Sequence, residues 1–128
     1  SRRVTAGLSA DLIEFERHRE WVEGIGRYAE LSVYRLAQAS SGYVLVEEIL
    51  NDPRFHQYKK FDNRWKREVE QLKRMARDED ESRFYYTGMV QAILLDRLDP
   101  DWKSQLFEPG IWLEDLLAEA LSITSEIK

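Results

Sequence analysis

"EWVEGIGRYAE" (residues 20–30) places two glycines inside a long amphipathic helical pattern. Each glycine in a helix interior costs about 1 kcal/mol relative to alanine. Gly24 and Gly26 are therefore expected to have a packing or functional reason. An apolar stripe recurs every three or four positions and predicts a helix that ends at the "SSG" of residues 40–42; its residues are Trp21, Ile25, Tyr28, Leu31 or Ser32, and Leu36.

The start of this helix is predicted near Asp11, whose spacing to Glu14 resembles a capping box. A break and restart before Trp21 is an open alternative. Downstream, "YVLVEEIL" (43–50) fits either a short helix or a strand.

The second half of the chain shows the same helical spacing. It predicts a helix from Asp62, with an apolar stripe of Trp65, Val69, Leu72 and Met75 or Ala76. It also predicts a helix capped by Ser82, a short helical turn at 101–107 and a last helix at 111–121. The fold predicted over residues 1–128 is thus a single all-α domain, a bundle of about four to five helices.

Composition narrows the functional classes. The 128 residues are 43% hydrophobic and 34% charged, with no cysteine, which suits a helical domain with a sizeable core. No segment approaches the roughly 20 apolar residues of a membrane-spanning helix, so no membrane partner is expected.

Nucleic acid is also not expected as a partner, because the net charge is −5. Residues 54–77 do carry nine Lys and Arg against three acidic residues, with aromatic residues between them. However, Trp65 falls on the apolar stripe of its own helix, and long basic side chains often cover the outer face of such a helix.

The residues alone offer no complete catalytic set. There are two histidines, His18 in the charged "FERHRE" and His56 in a predicted loop, and there is no H-E-x-x-H motif. Both histidines are expected to be ordinary surface side chains. The chain also lacks a cysteine nucleophile and a glycine-rich phosphate loop.

"WVEGIGRY" (21–28) resembles the W-x-x-E-G-x-A-x-Y helix of gluzincin-type zinc metallopeptidases, although Trp21 lies one residue nearer the glutamate. In the aminopeptidase-like members this glutamate is the third zinc ligand, downstream of H-E-x-x-H. The resemblance therefore implies that Glu23 is a metal ligand. It places Gly24 and Gly26 at small positions, where a partner helix could approach the carboxylate closely.

A second resemblance lies in "YYTGMVQAILLDRL" (85–98), which is similar to the Y-x-x-G helix of the same enzymes. The tyrosine of that helix hydrogen-bonds the tetrahedral intermediate, roughly sixty residues after the ligand glutamate. Tyr85 follows Glu23 by a similar interval, which implies that Tyr85 is the catalytic tyrosine. Tyr86 is the alternative if the register differs by one residue.

The chain lacks the H-E-x-x-H motif of these enzymes. The motif should lie about eighteen residues before Glu23, at or before Ser1, and the first residues, "SRRVT", contain no histidine. Zinc is therefore expected only with ligands from outside this chain. The partners implied are the upstream part of a parent protein and a peptide substrate. By itself the chain is expected to be inactive.

The alternative interpretation is a non-enzymatic helical bundle that binds a protein partner or forms a homodimer. Four tryptophans and several amphipathic helices suit an interface. This interpretation predicts that Glu23 is solvated or paired with Arg19 or Arg27. The peptidase interpretation instead predicts that Glu23 and Tyr85 line the same cleft, beside an exposed apolar surface.

Overall fold

A computed structural model describes residues 2–53, 61–75 and 80–126, which form helices, turns and loops without a strand. The all-α bundle predicted from the sequence is confirmed. None of the helices in these three ranges has the length and apolarity needed to cross a bilayer. The helices are α1 (Arg2–Thr5), α2 (Ala10–Arg19), α3 (Ile25–Ala39), α4 (Glu47–Leu50), α5 (Phe61–Met75), α6 (Ser82–Leu98) and α7 (Leu113–Glu126).

Helices α2 and α3 form one continuous helix, joined by a π-helical turn at Glu20–Gly24. The break considered before Trp21 does not occur, since Glu20 and Gly24 both keep right-handed helical φ and ψ. A π-helical turn accommodates one extra residue within an α-helix, and such turns occur frequently at functional sites. The turn lies in the stretch that contains the first of the two glycines.

Helix α6 crosses the π-helical turn at Gly24 and Gly88, and this contact is called here the glycine crossing. A Cβ atom on Gly24 would overlap the Cα of Gly88 and lie 2.7 Å from its carbonyl carbon. A Cβ atom on Gly88 would overlap the carbonyl oxygen of Glu20 and lie 2.8 Å from the Cα of Gly24. Gly24 is thus a close-packing residue, and its partner is Gly88 on α6.

Gly26 does not share this role. A Cβ atom added there would meet nothing within 4 Å, and the residue is exposed. Two positions further along a helix, a residue points about 200° away from Gly24, so both glycines cannot face α6. No described residue therefore packs against Gly26, and its expected role as a small position for a partner helix stays a prediction.

The apolar core lies between α6, α7 and the loop that joins them. Trp21, Ile25 and Tyr28 pack against it from the π-helical turn and α3, as the apolar stripe predicts. Leu36, predicted on the same stripe, is instead 64% exposed. The buried core residues are Ala92, Leu95, Trp102, Leu106, Leu113, Leu116 and Ala120.

Glutamates occupy buried positions where the helical pattern alone does not predict them. Glu20 is only 6% exposed, and its carboxylate accepts hydrogen bonds from Arg3 (2.7 Å), Thr87 (2.9 Å) and Gln91 (3.1 Å). This set connects the π-helical turn to α1 and α6. Because a buried carboxylate is costly unless it is paired and hydrogen-bonded, each of these donors supports the fold.

A second buried carboxylate joins α5 to α3. Glu68 is 2% exposed and faces Arg27, whose Nε and Nη2 atoms donate to it at 3.2 and 2.9 Å. Arg64 approaches the same carboxylate at 3.0 Å. Among the described residues of α5, Glu68 is the buried one, while the predicted apolar residues Trp65, Val69 and Leu72 are partly exposed.

Helix ends differ from the predicted positions. Helix α2 is capped by Ser9, whose Oγ accepts from the backbone N–H of Leu12, and Asp11 lies inside the first turn. Ser82 does not cap α6, because it is the first residue of that helix and its hydroxyl faces the sulfur of Met75 at 3.4 Å. The ambiguous 43–50 segment ends in the short helix α4.

Asp96 holds α3 and α6 to the helical turn at Trp102–Ser104. Its carboxylate accepts hydrogen bonds from the Tyr28 hydroxyl (2.8 Å), the Trp102 indole (3.1 Å) and the Lys103 ammonium. Burial acts to raise the pKa of Asp96, but the hydrogen bonds from Lys103, Trp102 and Tyr28 outweigh it, so the pKa lies below its usual value.

The glycine crossing predicts opposite effects for two neighbouring substitutions. Gly24→Ala and Gly88→Ala should each lower the free energy of unfolding by about 1–3 kcal/mol, because the added methyl groups overlap backbone atoms. Gly26→Ala, the matched control in the same helix, should raise it by about 0.5–1 kcal/mol. Urea unfolding followed by circular dichroism measures all three, and equal effects at Gly24 and Gly26 would contradict the crossing.

Asp96→Asn should lower the free energy of unfolding by about 2 kcal/mol near neutral pH, because two donors and an ammonium lose a charged acceptor. Since the folded-state pKa of Asp96 is lowered, its contribution is complete above its usual pKa of about 3.9 and is lost as the pH falls through the lowered value. The difference between the two proteins should therefore shrink below about pH 4. A difference that is independent of pH would exclude this account.

Candidate functional site

The glycine crossing brings Glu23 and Tyr85 together. Glu23 directly precedes Gly24, and Tyr85 lies one helical turn before Gly88, so the contact between the glycines places both side chains on one side of the crossing. Glu23 is the first cause that raises the pKa of Tyr85, which places the carboxylate near the phenol. The two residues that the resemblance singled out are thus neighbours, although 62 positions separate them in sequence.

Tyr85 lies at the surface of the protein, with 39% of its area exposed. Its hydrogen bond to Glu23 raises the pKa of Tyr85 above the usual value of 10.0, and the negative charge of Glu23 acts in the same direction. The phenol keeps its proton near neutral pH, as a tyrosine does at its usual pKa, and it can donate one hydrogen bond. Tyr86, the other candidate, instead lies beneath the guanidinium of Arg27, 5.9 Å from its ring centroid.

Arg19 is the main charged neighbour of Glu23. Its Nη1 atom lies 3.0 Å from a Glu23 oxygen, and its Nη2 atom lies 2.8 Å from Glu81. The same guanidinium lies over the ring of Phe15, at 5.6 Å from the centroid. This ion pair is the arrangement that the interaction-bundle interpretation predicts for Glu23.

An exposed apolar surface borders the Glu23–Tyr85 pair. Phe15 and Val22 are 43% and 44% exposed on the long helix, and Phe15 lies under the guanidinium of Arg19, the ion-pair partner of Glu23. Gly26 lies one turn beyond Glu23, with open space above its backbone. The site is thus a polar pair on an open, partly apolar helix face, which could be covered by another segment.

In the three described ranges, no group of three or more His, Cys, Asp or Glu side chains could hold a metal ion. His18 packs beside the ring of Trp112 at 6.1 Å, and His56 lies outside the described residues. These residues do not form a zinc site by themselves, so zinc at Glu23 would need ligands from outside the described part of the chain.

The sequence alone assigned no role to two residues near the site, Gly88 and Glu81. Gly88 was part of the Y-x-x-G pattern, but nothing local indicated that it packs against Gly24. Glu81 lies at the start of α6 and reaches Glu23 only through Arg19. The signal for Gly88 was the glycine itself, since an interior helical glycine indicates a close approach.

The pKa of Tyr85 gives a direct test of the contact with Glu23. In Glu23→Gln the carboxylate is replaced by a neutral amide, so the pKa of Tyr85 should fall toward its usual value. Carbon-13 NMR of labelled tyrosines measures this titration, with Tyr85→Phe assigning the resonance. Glu14→Gln, on the exposed surface of α2, is the control and should leave the titration unchanged. An unchanged Tyr85 titration in Glu23→Gln would exclude the hydrogen bond.

Comparison with known proteins adds no relative to this picture. The chain matches no family model, no curated protein and no solved structure. The resemblance to gluzincin-type peptidases therefore stays a prediction. The geometry provides a carboxylate and a phenol near each other where α6 crosses the π-helical turn, next to an arginine.

Proposed function

We propose that this chain is a helical lobe of a gluzincin-like zinc peptidase, to which it contributes Glu23 as a metal ligand and Tyr85 as a transition-state donor. The remaining metal ligands and the base belong to the upstream part of the parent protein. The substrate is a peptide. On this proposal the isolated chain is inactive, because one glutamate is not a zinc site.

The contact between Glu23 and Tyr85 is the observation that carries the proposal. The peptidase interpretation requires both side chains in one site, and side chains on opposite faces of the bundle would have excluded it. The contact between Gly24 and Gly88, together with the effect of Glu23 on the pKa of Tyr85, supports a shared site. The two glycines that follow the two residues in their motifs also pack against each other, which gives the motif spacing a physical reason.

Tyr85 has the properties that its proposed role needs. A neutral phenol that is fixed near a reacting carbonyl can donate a hydrogen bond to the developing oxyanion. Its raised pKa keeps the proton in place, and its partial exposure leaves the hydroxyl accessible from outside the bundle. In the isolated chain Glu23 accepts this hydrogen bond.

To bind a cation, the Glu23 carboxylate must first lose its ion pair with Arg19. A guanidinium beside a carboxylate opposes binding of a second positive charge. Arg19 already contacts Glu81 at 2.8 Å, so it could release Glu23 and keep an anionic partner. Bound zinc would supply a Lewis acid for the peptide carbonyl and for water.

The apolar face around Glu23 supports a missing partner segment. Phe15 and Val22 are exposed on the same long helix as Glu23, and a Cβ atom on Gly26 would meet nothing within 4 Å. An upstream helix that docked there would bury this apolar area. Such a helix would also explain the glycine at position 26, because no described residue packs against it.

A non-enzymatic interaction bundle is the second candidate, and the Arg19–Glu23 ion pair favours it. A solvated or arginine-paired Glu23 is its specific expectation, and the pair is present at 3.0 Å. On this proposal the exposed apolar face around Phe15 and Val22 binds a protein partner or a second copy of the chain. Glu23 then has a structural role and no metal.

The coding sequence upstream of Ser1 and the zinc content of the parent protein test the proposal. We expect H-E-x-x-H within some twenty codons upstream, as the resemblance implies. In the full parent protein, Glu23→Gln should lose bound zinc, as measured by atomic emission after dialysis, because a direct ligand is removed. Tyr85→Phe should keep zinc but lower kcat for peptide cleavage by about 10²–10³-fold, as for other oxyanion donors.

Glu14→Gln, an exposed glutamate on the same long helix, is the matched control and should keep both zinc and activity. Full zinc occupancy in Glu23→Gln would exclude Glu23 as a ligand. A parent protein without H-E-x-x-H would exclude the peptidase lobe and leave the interaction bundle. Light scattering of the chain alone would then test for the homodimer.

A further inference from the structure

Two adjoining clefts lie along α3 and α6, away from Glu23 and Tyr85. The inner cleft has a volume of about 150 Å³ and the outer one about 340 Å³. Arg35, Ile93 and Arg97 line both, so the two clefts adjoin at these side chains and are together called here the Arg35–Arg97 cleft. Arg35 is twelve residues beyond Glu23, which corresponds to about 18 Å along a helix.

Positive charge exceeds negative charge in this cleft. Arg35, Arg97 and Lys103 line it together with a single carboxylate, Asp96. Asp96 is already engaged by Tyr28, Trp102 and Lys103. The local surplus of two positive charges contrasts with the net charge of −5 for the whole chain.

The two arginines are the groups available to a ligand. Arg35 is exposed and approaches Asp96 only to 4.0 Å, and Arg97 is exposed without an ion pair to any residue in the described ranges. Guanidinium groups bind phosphate and carboxylate oxygens through paired N–H donors. Two such groups at the border of both clefts can bind one dianionic head group.

The inner cleft is suited to a flat apolar group. Tyr28 and Trp65 line it from α3 and α5, and Leu31 and Ile93 complete its apolar walls. The ring of Tyr28 is held in place by the hydrogen bond from its hydroxyl to Asp96. A volume of about 150 Å³ is enough for an aromatic ring the size of benzene.

We propose that the Arg35–Arg97 cleft binds a small aryl phosphate, with the ring against Trp65 and Tyr28 and the phosphate between Arg35 and Arg97. A phosphate monoester carries a charge of about −1.5 to −2 near neutral pH, which matches the local surplus. A carboxylate carries half that charge and binds more weakly. This site is separate from the Glu23–Tyr85 pair and does not depend on the proposed peptidase function.

Titration with phenyl phosphate, followed by calorimetry and by the NMR signal of the Trp65 indole N–H, tests the proposal. Phenyl phosphate should bind at least about tenfold more tightly than phenol, inorganic phosphate or benzoate, because only it occupies both parts of the cleft. Arg97→Gln and Arg35→Gln should each weaken binding by about tenfold or more through the loss of charge-assisted hydrogen bonds. The Trp65 signal should shift on binding.

Arg67→Gln is the matched control, since Arg67 is an exposed arginine of α5 that does not line the cleft and the change in net charge is identical. It should leave the affinity within about twofold of the original protein, as expected for a distant surface charge under screening. An equal loss in Arg67→Gln and Arg97→Gln would overturn the proposal in favour of non-specific attraction. Equal affinity for benzoate would overturn the preference for a dianion, and an unshifted Trp65 signal would overturn the location.

Discussion

The backbone contact between Gly24 and Gly88 is the constraint on which the remaining packing depends. It lets α6 approach the π-helical turn so closely that neither position has room for a Cβ atom. Because the helices touch at their backbones, Trp21 and Ile25 reach the core beside α6 and α7. The same approach places Glu20 within reach of Thr87 and Gln91. One close crossing therefore determines both the apolar core and a buried polar network.

Buried carboxylates hold several of the helices together. Glu20 and Glu68 are each almost fully buried, and each joins helices that are distant in sequence. Such groups add little stability relative to well-packed apolar residues, but removing one partner leaves an uncompensated charge and costs several kcal/mol, about 3–5. These networks therefore fix which helices meet and in which register. Arg3 joins α1 to a similar network through its ion pairs with Glu16, Glu20 and Glu114.

The proposed site follows from the crossing. Glu23 and Tyr85 meet because each lies next to, or one turn from, one of the contacting glycines, and the π-helical turn carries Glu23. Tyr85 is exposed, and so are Phe15 and Val22 on the same long helix as Glu23, so the site lies at the surface. A carboxylate and a phenol on an open face suit a role that another segment completes. The Arg35–Arg97 cleft lies further along the same two helices and has the opposite charge, so one scaffold carries two chemically different surfaces.

The sequence by itself determined the helical class of the fold and indicated that Gly24 has a packing or functional reason. Helical periodicity and the cost of an interior glycine are local properties. The resemblance also selected Glu23 and Tyr85. Only the tertiary structure decided that Gly88 is the partner of Gly24, that Gly26 faces open space, and that Glu20 and Glu68 are buried. The physical reason is that a buried glutamate has the same local pattern as an exposed one. Its burial depends on donors such as Arg3 and Gln91, which lie 17 and 71 positions away and meet it only after the helices cross.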